Sequence, residues 1–146
     1  SRTKASARRG AEVRGAASCA LRYLALRREL ARRFARDPLD VLLRSIPWRR
    51  ARRPASLSSL RLGVRLAERG GALFLRDTDT CLFRALARSA LLVEHGHAPT
   101  FVMGAPREAA AGHAWVELDD APFLEPGVPA FVRTLTHAWA GDVRER

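Results

Sequence analysis

The chain has 146 residues, of which 47% are apolar, and this length and composition suit one compact domain with a modest core. No apolar run is long enough to cross a bilayer, and the basic N-terminus lacks the apolar stretch and small-residue cleavage site of a secretory signal. The expectation is therefore a soluble, cytoplasmic protein with no membrane partner. In that compartment both cysteines are expected to be free thiols.

The positive charge is concentrated in the first third of the chain. The formal net charge is +11, and residues 1–53 carry 16 Lys and Arg against four acidic residues. Such a segment can bind an acidic partner, a nucleic acid or a membrane surface, or it can be the solvated face of helices. No Gly-rich loop, zinc-ligand set or RNA-binding aromatic pattern accompanies the arginines, so nucleic acid is not the expected partner.

Helices are predicted along the first half of the chain. Residues 1–15 contain few large apolar groups and are expected to form a flexible basic N-terminus. Residues 16–36 are predicted to form an amphipathic helix. Its apolar positions are Leu21, Leu24, Leu30 and Phe34. Asp37 is expected to cap a short second helix that has Pro38 in its first turn and ends at Pro47.

Two further helices follow a basic connector at residues 49–54. Ser56 is the expected N-cap of the third helix, and Gly70-Gly71 is its expected end. The fourth helix is predicted to open near Thr78 or Asp79 and to run to Gly96, which puts Cys81 in its first turn.

Beyond Pro99 the apolar pattern changes to the alternation of strands. Residues 100–104 and 113–118 are predicted strands, and Asp119-Asp120 is expected to turn the chain into a third strand at residues 123–125. The segment 134–142, which repeats the tripeptide His-Ala-Trp, is expected to be C-terminal packing. Helices followed by antiparallel strands predict an α+β fold, with N-terminal helices and a cysteine-bearing helix packed on a small antiparallel sheet.

The predicted position of Cys81 suits a nucleophile. A thiol attacks as thiolate, and the N–H groups and dipole at a helix N-terminus favour that form. Arg84, one turn further on, can add positive charge on the same side. The alternative is a small buried apolar residue, which is the interpretation we give Cys19 within its amphipathic helix.

His113 begins a strand in which His113, Trp115 and Glu117 share one face. A histidine in this position, beside a tryptophan, can act as a general base if a third group fixes its tautomer. Glu125 can be that group, because it lies on the next strand of the predicted hairpin. The alternative for Glu125 is a solvated edge carboxylate.

These motifs resemble the transglutaminase-like domain of lasso-peptide B-proteins. The motifs are Cys81-Leu82-Phe83-Arg84-Ala85-Leu86-Ala87, Gly96, Phe101-Val102-Met103-Gly104 and Gly112-His113-Ala114-Trp115-Val116-Glu117. The resemblance covers residues 78–126 well and residues 16–70 only in general character, through arginine-rich helices and Pro47-Trp48. It implies one transglutaminase-like, papain-like domain at residues 16–146, with a helical part at 16–70 and a catalytic core at 71–146.

The resemblance implies a cysteine peptidase without a metal or a cofactor. Cys81 is the implied nucleophile, His113 the base and Glu125 the orienting acid. Because the family pattern has Asp at the last position, Asp119 or Asp120 is the alternative. Arg84, Trp115 and Glu117 are candidates for substrate binding or for tuning the site's pKa values.

The resemblance also implies partners. The substrate is a lasso precursor peptide, whose leader is cleaved through a thioester. The expected form is the split one, without a leader-recognition module, so a separate leader-binding protein is expected, together with a lasso cyclase that uses the new amine. The basic first third of the chain, which includes Arg27, Arg28, Arg32 and Arg33, is the expected docking surface for these partners or for an acidic leader segment.

The sequence also bears on functions other than that of a peptidase. His95 and His97 flank Gly96 at a spacing that suits no common helical metal-ligand pair, so no metal site is expected. A transglutaminase or amidase would use the same triad and differ only in whether an amine or water resolves the thioester. A non-enzymatic alternative is a basic module that binds nucleic acid or an acidic protein, with Cys81 merely buried.

Overall fold

The computed structural model describes residues 2–46, 49–71, 80–107, 111–126 and 131–140. The helices are α1 Arg2–Phe34, α2 Leu39–Arg44, α3 Leu57–Gly71 and α4 Cys81–Glu94. The strands are β1 Thr100–Ala105, β2 His113–Leu118, β3 Ala121–Pro122 and β4 Val132–Ala138. Helices precede one antiparallel sheet, so the α+β prediction is confirmed.

Helix α1 begins much earlier than the sequence pattern predicted. Residues 2–15, expected to be flexible, continue the helix, because alanine and arginine are among the strongest helix formers and outweigh the lack of apolar side chains. The segment is also held by tertiary contact, since the Ser59 hydroxyl donates to the Glu12 carbonyl. The predicted apolar face was partly wrong: Leu21 is 72% exposed. The buried face of α1 consists of Ala16, Cys19, Tyr23, Leu26, Arg27 and Leu30.

The helix caps agree with the predictions only in part. Ser56 does cap α3, since its hydroxyl accepts the Ser59 N–H at 3.2 Å. Asp37 does not cap α2: the N-cap is Pro38, without a side-chain bond, and the Asp37 carboxylate instead lies 3.6 Å from the Arg33 guanidinium. Pro47 and Trp48 lie outside the described residues.

The three long helices form one layer, which we call the helical layer (α1, α3 and α4). Helices α1 and α3 run parallel, because Glu12 contacts Ser59 near one end and Tyr23 contacts Glu68 further along. They approach so closely that a Cβ on Gly63 would lie 2.6 Å from the Ala16 carbonyl oxygen.

Helix α4 runs antiparallel to α1. Arg22 of α1 bonds Glu94 at the C-terminal end of α4, whereas Phe34 packs edge-on against Phe83 in its first turn, with 5.6 Å between the ring centroids. Cys81 therefore lies at the same end of the helical layer as the C-terminus of α1.

The sheet has the strand order β3-β2-β1-β4, with β1 and β2 in the centre. The turn at Asp119 and Asp120 is confirmed, and both residues have the positive φ, 53° and 60°, that a two-residue hairpin favours. The third strand lies earlier than the predicted residues 123–125, because Leu124 has a φ of 58° and leaves the extended conformation.

Strand β4 was not predicted. The segment expected to be C-terminal packing is in large part a strand that pairs with β1. Its side chains are mostly exposed, so the strand lacks the alternation by which strands are recognised. Trp139, just beyond it, is buried and donates its indole N–H to the Ile46 carbonyl at 2.8 Å, which attaches the end of β4 to the segment after α2.

The sheet places the site residues through its contact with α4. Ala114, Val116 and Leu118 of β2 join the core beneath the helical layer. By strand alternation, Trp115 and Glu117 occupy the opposite face. Among the residues that the structure describes, every helix is too short or too polar to span a bilayer.

Candidate active site

Cys81 is the first residue of α4. The N-cap is Thr80, whose hydroxyl accepts the Phe83 N–H at 3.3 Å, so the helix opens slightly later than predicted, and Thr78 and Asp79 lie outside the described residues. Cys81 is a free, partly exposed cysteine. Cys19, in contrast, is 2% exposed, and burial raises the pKa of its thiol, so Cys19 is unsuited to nucleophilic attack.

The first turn of α4 also offers a hydrogen-bond donor. The first N–H groups of a helix have no partner within the helix. In the described part of the chain, the Thr80 hydroxyl accepts one of these N–H groups, that of Phe83. The Cys81 N–H therefore projects from the helix end beside its own sulfur. A donor in this position can stabilise the oxygen of a tetrahedral intermediate formed on Cys81.

His113 lies in a cluster of aromatic rings at the start of β2. Its imidazole stacks on Trp115 and Phe131, with centroid distances of 5.9 and 5.7 Å. Gly104 makes room for this cluster, since a Cβ there would lie 3.1 Å from both the Trp115 ring and the Phe131 Cβ. The two rings limit how far the imidazole can tilt.

Glu125 faces the imidazole. One carboxylate oxygen, Oε2, lies 3.6 Å from His113 Nε2, which is ion-pair distance for a protonated histidine. This leaves Nδ1 for a thiol. The alternatives Asp119 and Asp120 form the exposed turn beyond the far end of β2, about 17–20 Å along the strand from His113. Of the three acidic candidates, the structure brings Glu125 to the histidine.

Arg88 holds the other oxygen of Glu125. Its side chain is 3% exposed, and its Nη1 donates to Glu125 Oε1 at 2.7 Å and to the Phe123 carbonyl at 3.3 Å. Its Nε and Nη2 bond both oxygens of Glu68, at 2.9 and 2.8 Å. Glu68 in turn accepts the Tyr23 hydroxyl at 2.6 Å. We call these residues the Arg88 network: Tyr23, Glu68, Arg88 and Glu125.

The ionisation of the Arg88 network follows from burial and pairing. Burial lowers the pKa of Arg88, but the bonds to Glu68 and its charge raise it by more, so Arg88 stays cationic. Burial is the main reason that the pKa of Tyr23 is raised, and the neighbouring Glu68 raises it further. Tyr23 therefore remains a neutral donor at physiological pH.

The spacing on α4 relates Cys81 to this network. Cys81 and Arg88 are seven residues apart, nearly two full turns, so their side chains leave the same face of α4 about 10 Å apart along its axis. That face is the one from which Arg88 reaches Glu125. Through Glu125, Arg88 in turn connects this face of α4 to His113.

The other predicted site residues have different surroundings. Trp115 is buried, stacks on His113 and donates its indole N–H to Glu117 at 3.0 Å. Glu117 also accepts two bonds from Arg133. Burial raises the pKa of Glu117, but these bonds lower it by more, so the carboxylate is ionised and fully engaged. Arg84 lies on α4, partly buried, one turn after Cys81.

The predicted arginine docking surface is only partly exposed. Arg27 is buried, and its guanidinium lies over the Tyr23 ring at 5.9 Å from the centroid. Arg33 bonds the Ser45 hydroxyl and pairs with Asp37. Arg28 and Arg32 are exposed. Of these arginines, Arg27 is therefore turned inward, whereas Arg28 and Arg32 stay on the surface, and the docking role of the basic first third stays a prediction.

Two of the histidines outside the site have structural contacts. His95 Nδ1 accepts the Ala55 N–H at 2.8 Å, and His137 packs edge-on against Trp139. Within the described ranges, no group of three or more His, Cys, Asp or Glu side chains could ligate a metal ion.

Sequence reasoning missed two residues that contact the site. Arg88 is a single charge within a run of apolar and small residues on a buried helix, and such a residue signals an internal ion pair. That signal was available in the sequence. Phe131 had none, because it contacts His113 only through the pairing of β4 with β1.

Comparison with known proteins gives a match at the level of the family. A family model described as the transglutaminase-like superfamily matches residues 20–140, most of the chain. No curated protein and no solved structure matches. The matched range contains Cys81, His113, Glu125 and the whole Arg88 network.

Proposed function

Because the chain belongs to the transglutaminase-like superfamily, which generally comprises cysteine-dependent enzymes, we propose that it is a cysteine peptidase that acts through a Cys81 thioester. The observation that carries the proposal is the 3.6 Å pairing of His113 Nε2 with Glu125, in a chain whose other candidate, Cys81, begins α4. The pairing supports a base with a fixed orientation, and the helix start supports an activated thiol.

The proposed reaction has two steps. His113 Nδ1 takes the Cys81 proton, and the sulfur attacks the peptide carbonyl while the Cys81 N–H stabilises the oxyanion. The C–N bond then breaks, and the imidazolium gives its proton to the departing amine. In the second step His113 deprotonates a water, which hydrolyses the thioester and returns the thiol. Glu125 stabilises the imidazolium in both steps.

The proposed substrate is a ribosomally made lasso precursor, from which the enzyme removes the leader. The support for this substrate is the motif resemblance at residues 78–126. A separate leader-binding protein would present the precursor, and a cyclase would use the new amine of the core peptide.

Mass spectrometry of a cognate precursor, incubated with the protein and the leader-binding partner, tests the proposal. Cys81→Ala should abolish cleavage, and His113→Ala should lower the rate by about 10²–10⁴-fold. Glu125→Gln should have an intermediate rate, because an amide can still orient the imidazole but cannot stabilise its positive charge. Cys19→Ala is the matched control and should cleave like wild type.

Each outcome identifies a different error. Unchanged cleavage by Cys81→Ala or His113→Ala would end the peptidase proposal, whereas unchanged cleavage by Glu125→Gln would remove only the role of Glu125. An added amine that appears in the product in place of water would indicate acyl transfer by the same residues.

A further inference from the structure

A cleft with an apolar floor lies between the parallel helices α1 and α3. It has a volume of about 460 Å³, and its lining includes Ala20, Leu21, Leu24, Ala67 and Gly70. We propose that this cleft binds an acidic peptide segment that presents leucine-sized side chains along one face of a helix.

Large apolar side chains are exposed in and beside the cleft. Leu21 of α1 is 72% exposed, and Leu66 of α3 is 51% exposed. Leu62, one turn before Leu66, is 38% exposed. Alanine and glycine fill the space between them, which leaves a depression that apolar side chains of a partner can enter. A helix laid in an apolar groove uses anchors of this kind, spaced one turn apart.

Both rims of the cleft are basic. Arg28 and Arg32 follow Leu21 along one face of α1, and Arg65 and Arg69 lie beside Leu66 on α3. All four arginine side chains are exposed. The acidic residues of these stretches are engaged elsewhere: Glu29 pairs with Arg22, and Glu68 belongs to the Arg88 network. The field over the cleft is therefore positive.

The apolar floor and the basic rims together favour one kind of binding partner over others. A second copy of the chain would bring arginines against arginines, which costs free energy. A single-stranded nucleic acid would need aromatic platforms for its bases, whereas the large side chains in this cleft are aliphatic. An acidic amphipathic segment satisfies both the leucine floor and the arginine rims.

The cleft also lies towards the catalytic end of the molecule. It reaches Gly70 and Gly71 at the C-terminal end of α3, and α1 continues from it to Phe34, which packs on Phe83 two residues after Cys81. A bound segment can therefore belong to the polypeptide whose scissile bond meets Cys81. This placement rests on the proposed function, whereas the binding itself does not.

Fluorescence anisotropy with the full Cys81→Ala chain tests the binding. The probe is a labelled helical peptide with leucines on one face and glutamates elsewhere, and the control is a peptide of the same composition with the leucines spread around the helix. The first peptide should bind at least about tenfold more tightly. Leu66→Glu and the double variant Arg65→Glu/Arg69→Glu should each weaken its binding by a similar factor.

Matched variants keep the test specific. Val41→Glu changes an exposed apolar residue of α2, and Arg9→Glu reverses an exposed charge near the start of α1; neither should alter the affinity. Circular dichroism checks that all variants fold.

Three results would overturn the proposal. They are equal affinity for both peptides, equal loss in Val41→Glu and Leu66→Glu, and a wild-type dimer that Leu66→Glu converts to a monomer in sedimentation. Failure of catalysis is distinguishable, because binding is measured on a variant that lacks the nucleophile. If binding succeeds but precursor cleavage by Leu66→Glu is normal, the segment does not belong to the substrate.

Discussion

A single buried arginine connects the candidate catalytic residues to the interior of the molecule. Arg88 donates to four oxygen atoms, two of Glu68, one of Glu125 and the Phe123 carbonyl. Since it holds one oxygen of Glu125, it determines where the other oxygen meets His113. In the proposed reaction Arg88 is therefore a positioning residue, which touches no reacting atom but fixes the carboxylate that pairs with His113.

Arg88→Met should lower the free energy of unfolding by about 3–5 kcal/mol, because it leaves two carboxylates without their cation in a buried site. Arg88→Lys keeps the charge but cannot bridge both carboxylates, so we expect a folded enzyme with lower kcat, unchanged KM and an altered pH dependence of kcat. Denaturant titration and pH–rate profiles measure these effects. A wild-type pH–rate profile in Arg88→Lys would show that Arg88 has only a structural role.

At this scale the sequence indicated residues whose role depends on local position. The position of Cys81 at the start of a helix and the turn at Asp119 and Asp120 were predictable, whereas the catalytic roles of Cys81 and Glu125 stay predictions. Arg88 could have been found in the sequence, because a charged residue among apolar and small neighbours on a helix indicates an internal ion pair. Phe131 had no such signal, because its contact with His113 depends on a strand pairing between distant parts of the chain.

Among the elements, the close contact of α1 with α3 depends on a glycine. A Cβ on Gly63 would lie 2.6 Å from the Ala16 carbonyl oxygen and 2.7 Å from the Cys19 Cβ, so Gly63→Ala must push the helices apart. We expect a loss of about 1–3 kcal/mol in the free energy of unfolding. Gly70→Ala, in the same helix, meets no atom within 4 Å and should be neutral or stabilising by up to about 1 kcal/mol.

Urea denaturation of the two variants compares them directly. The intrinsic preference for alanine over glycine in a helix is the same in both, so the difference between them isolates the helix contact. Equal midpoints would mean that α1 and α3 have room to separate at no cost.

Helices and strands were predicted correctly where the local sequence pattern is strong. They were missed where contacts between distant parts of the chain determine the structure. The spacing of strand β2 and its turn is local, and the prediction of residues 113–118 matches the structure. β4 is an exposed edge strand, so neither face required apolar alternation. The buried face of α1 was misjudged because a parallel neighbour covers small residues and an aromatic ring and leaves Leu21 outside.

The whole molecule is expected to lose stability in mild acid partly through His95. This half-buried ring accepts the Ala55 N–H and so joins the connector before α3 to the end of α4. Burial is the main cause that lowers the pKa of His95 below its ordinary 6.5. In the unfolded chain the ring takes up a proton near the ordinary value, so over this window the unfolded state binds more protons. Stability contributed by His95 is complete above this window and is lost as the pH falls through it.

His95→Asn keeps an acceptor for the Ala55 N–H but does not titrate. We therefore expect its free energy of unfolding to change less than that of wild type between about pH 7.5 and about pH 5. Chemical denaturation at a series of pH values measures both slopes. Parallel slopes would contradict the role of His95.

The fold class and the superfamily could be recognised from the sequence, because the order of helices before strands and the motifs around Cys81 and His113 are both properties of chain order. Which arginines are buried and which lie on the surface could not be recognised from the sequence. Arg27 and Arg88 point inward, whereas Arg28, Arg65 and Arg69 surround an apolar cleft. Composition counts all of these arginines alike, and only packing separates them.

The strand order affects when the chain can complete its fold during translation. Strand β1 is central, yet one of its neighbours, β4, is the last strand that the structure describes. Helix α1 also lacks its contact with α4 until late in translation, since Arg22 bonds Glu94, which is 72 residues further along the chain. While the chain emerges from the ribosome, only α2 and α3 among the described helices are available to cover the buried face of α1 until α4 is made, and β1 keeps an open edge until β4 is made. Completion of the native state is therefore expected only after translation has passed β4.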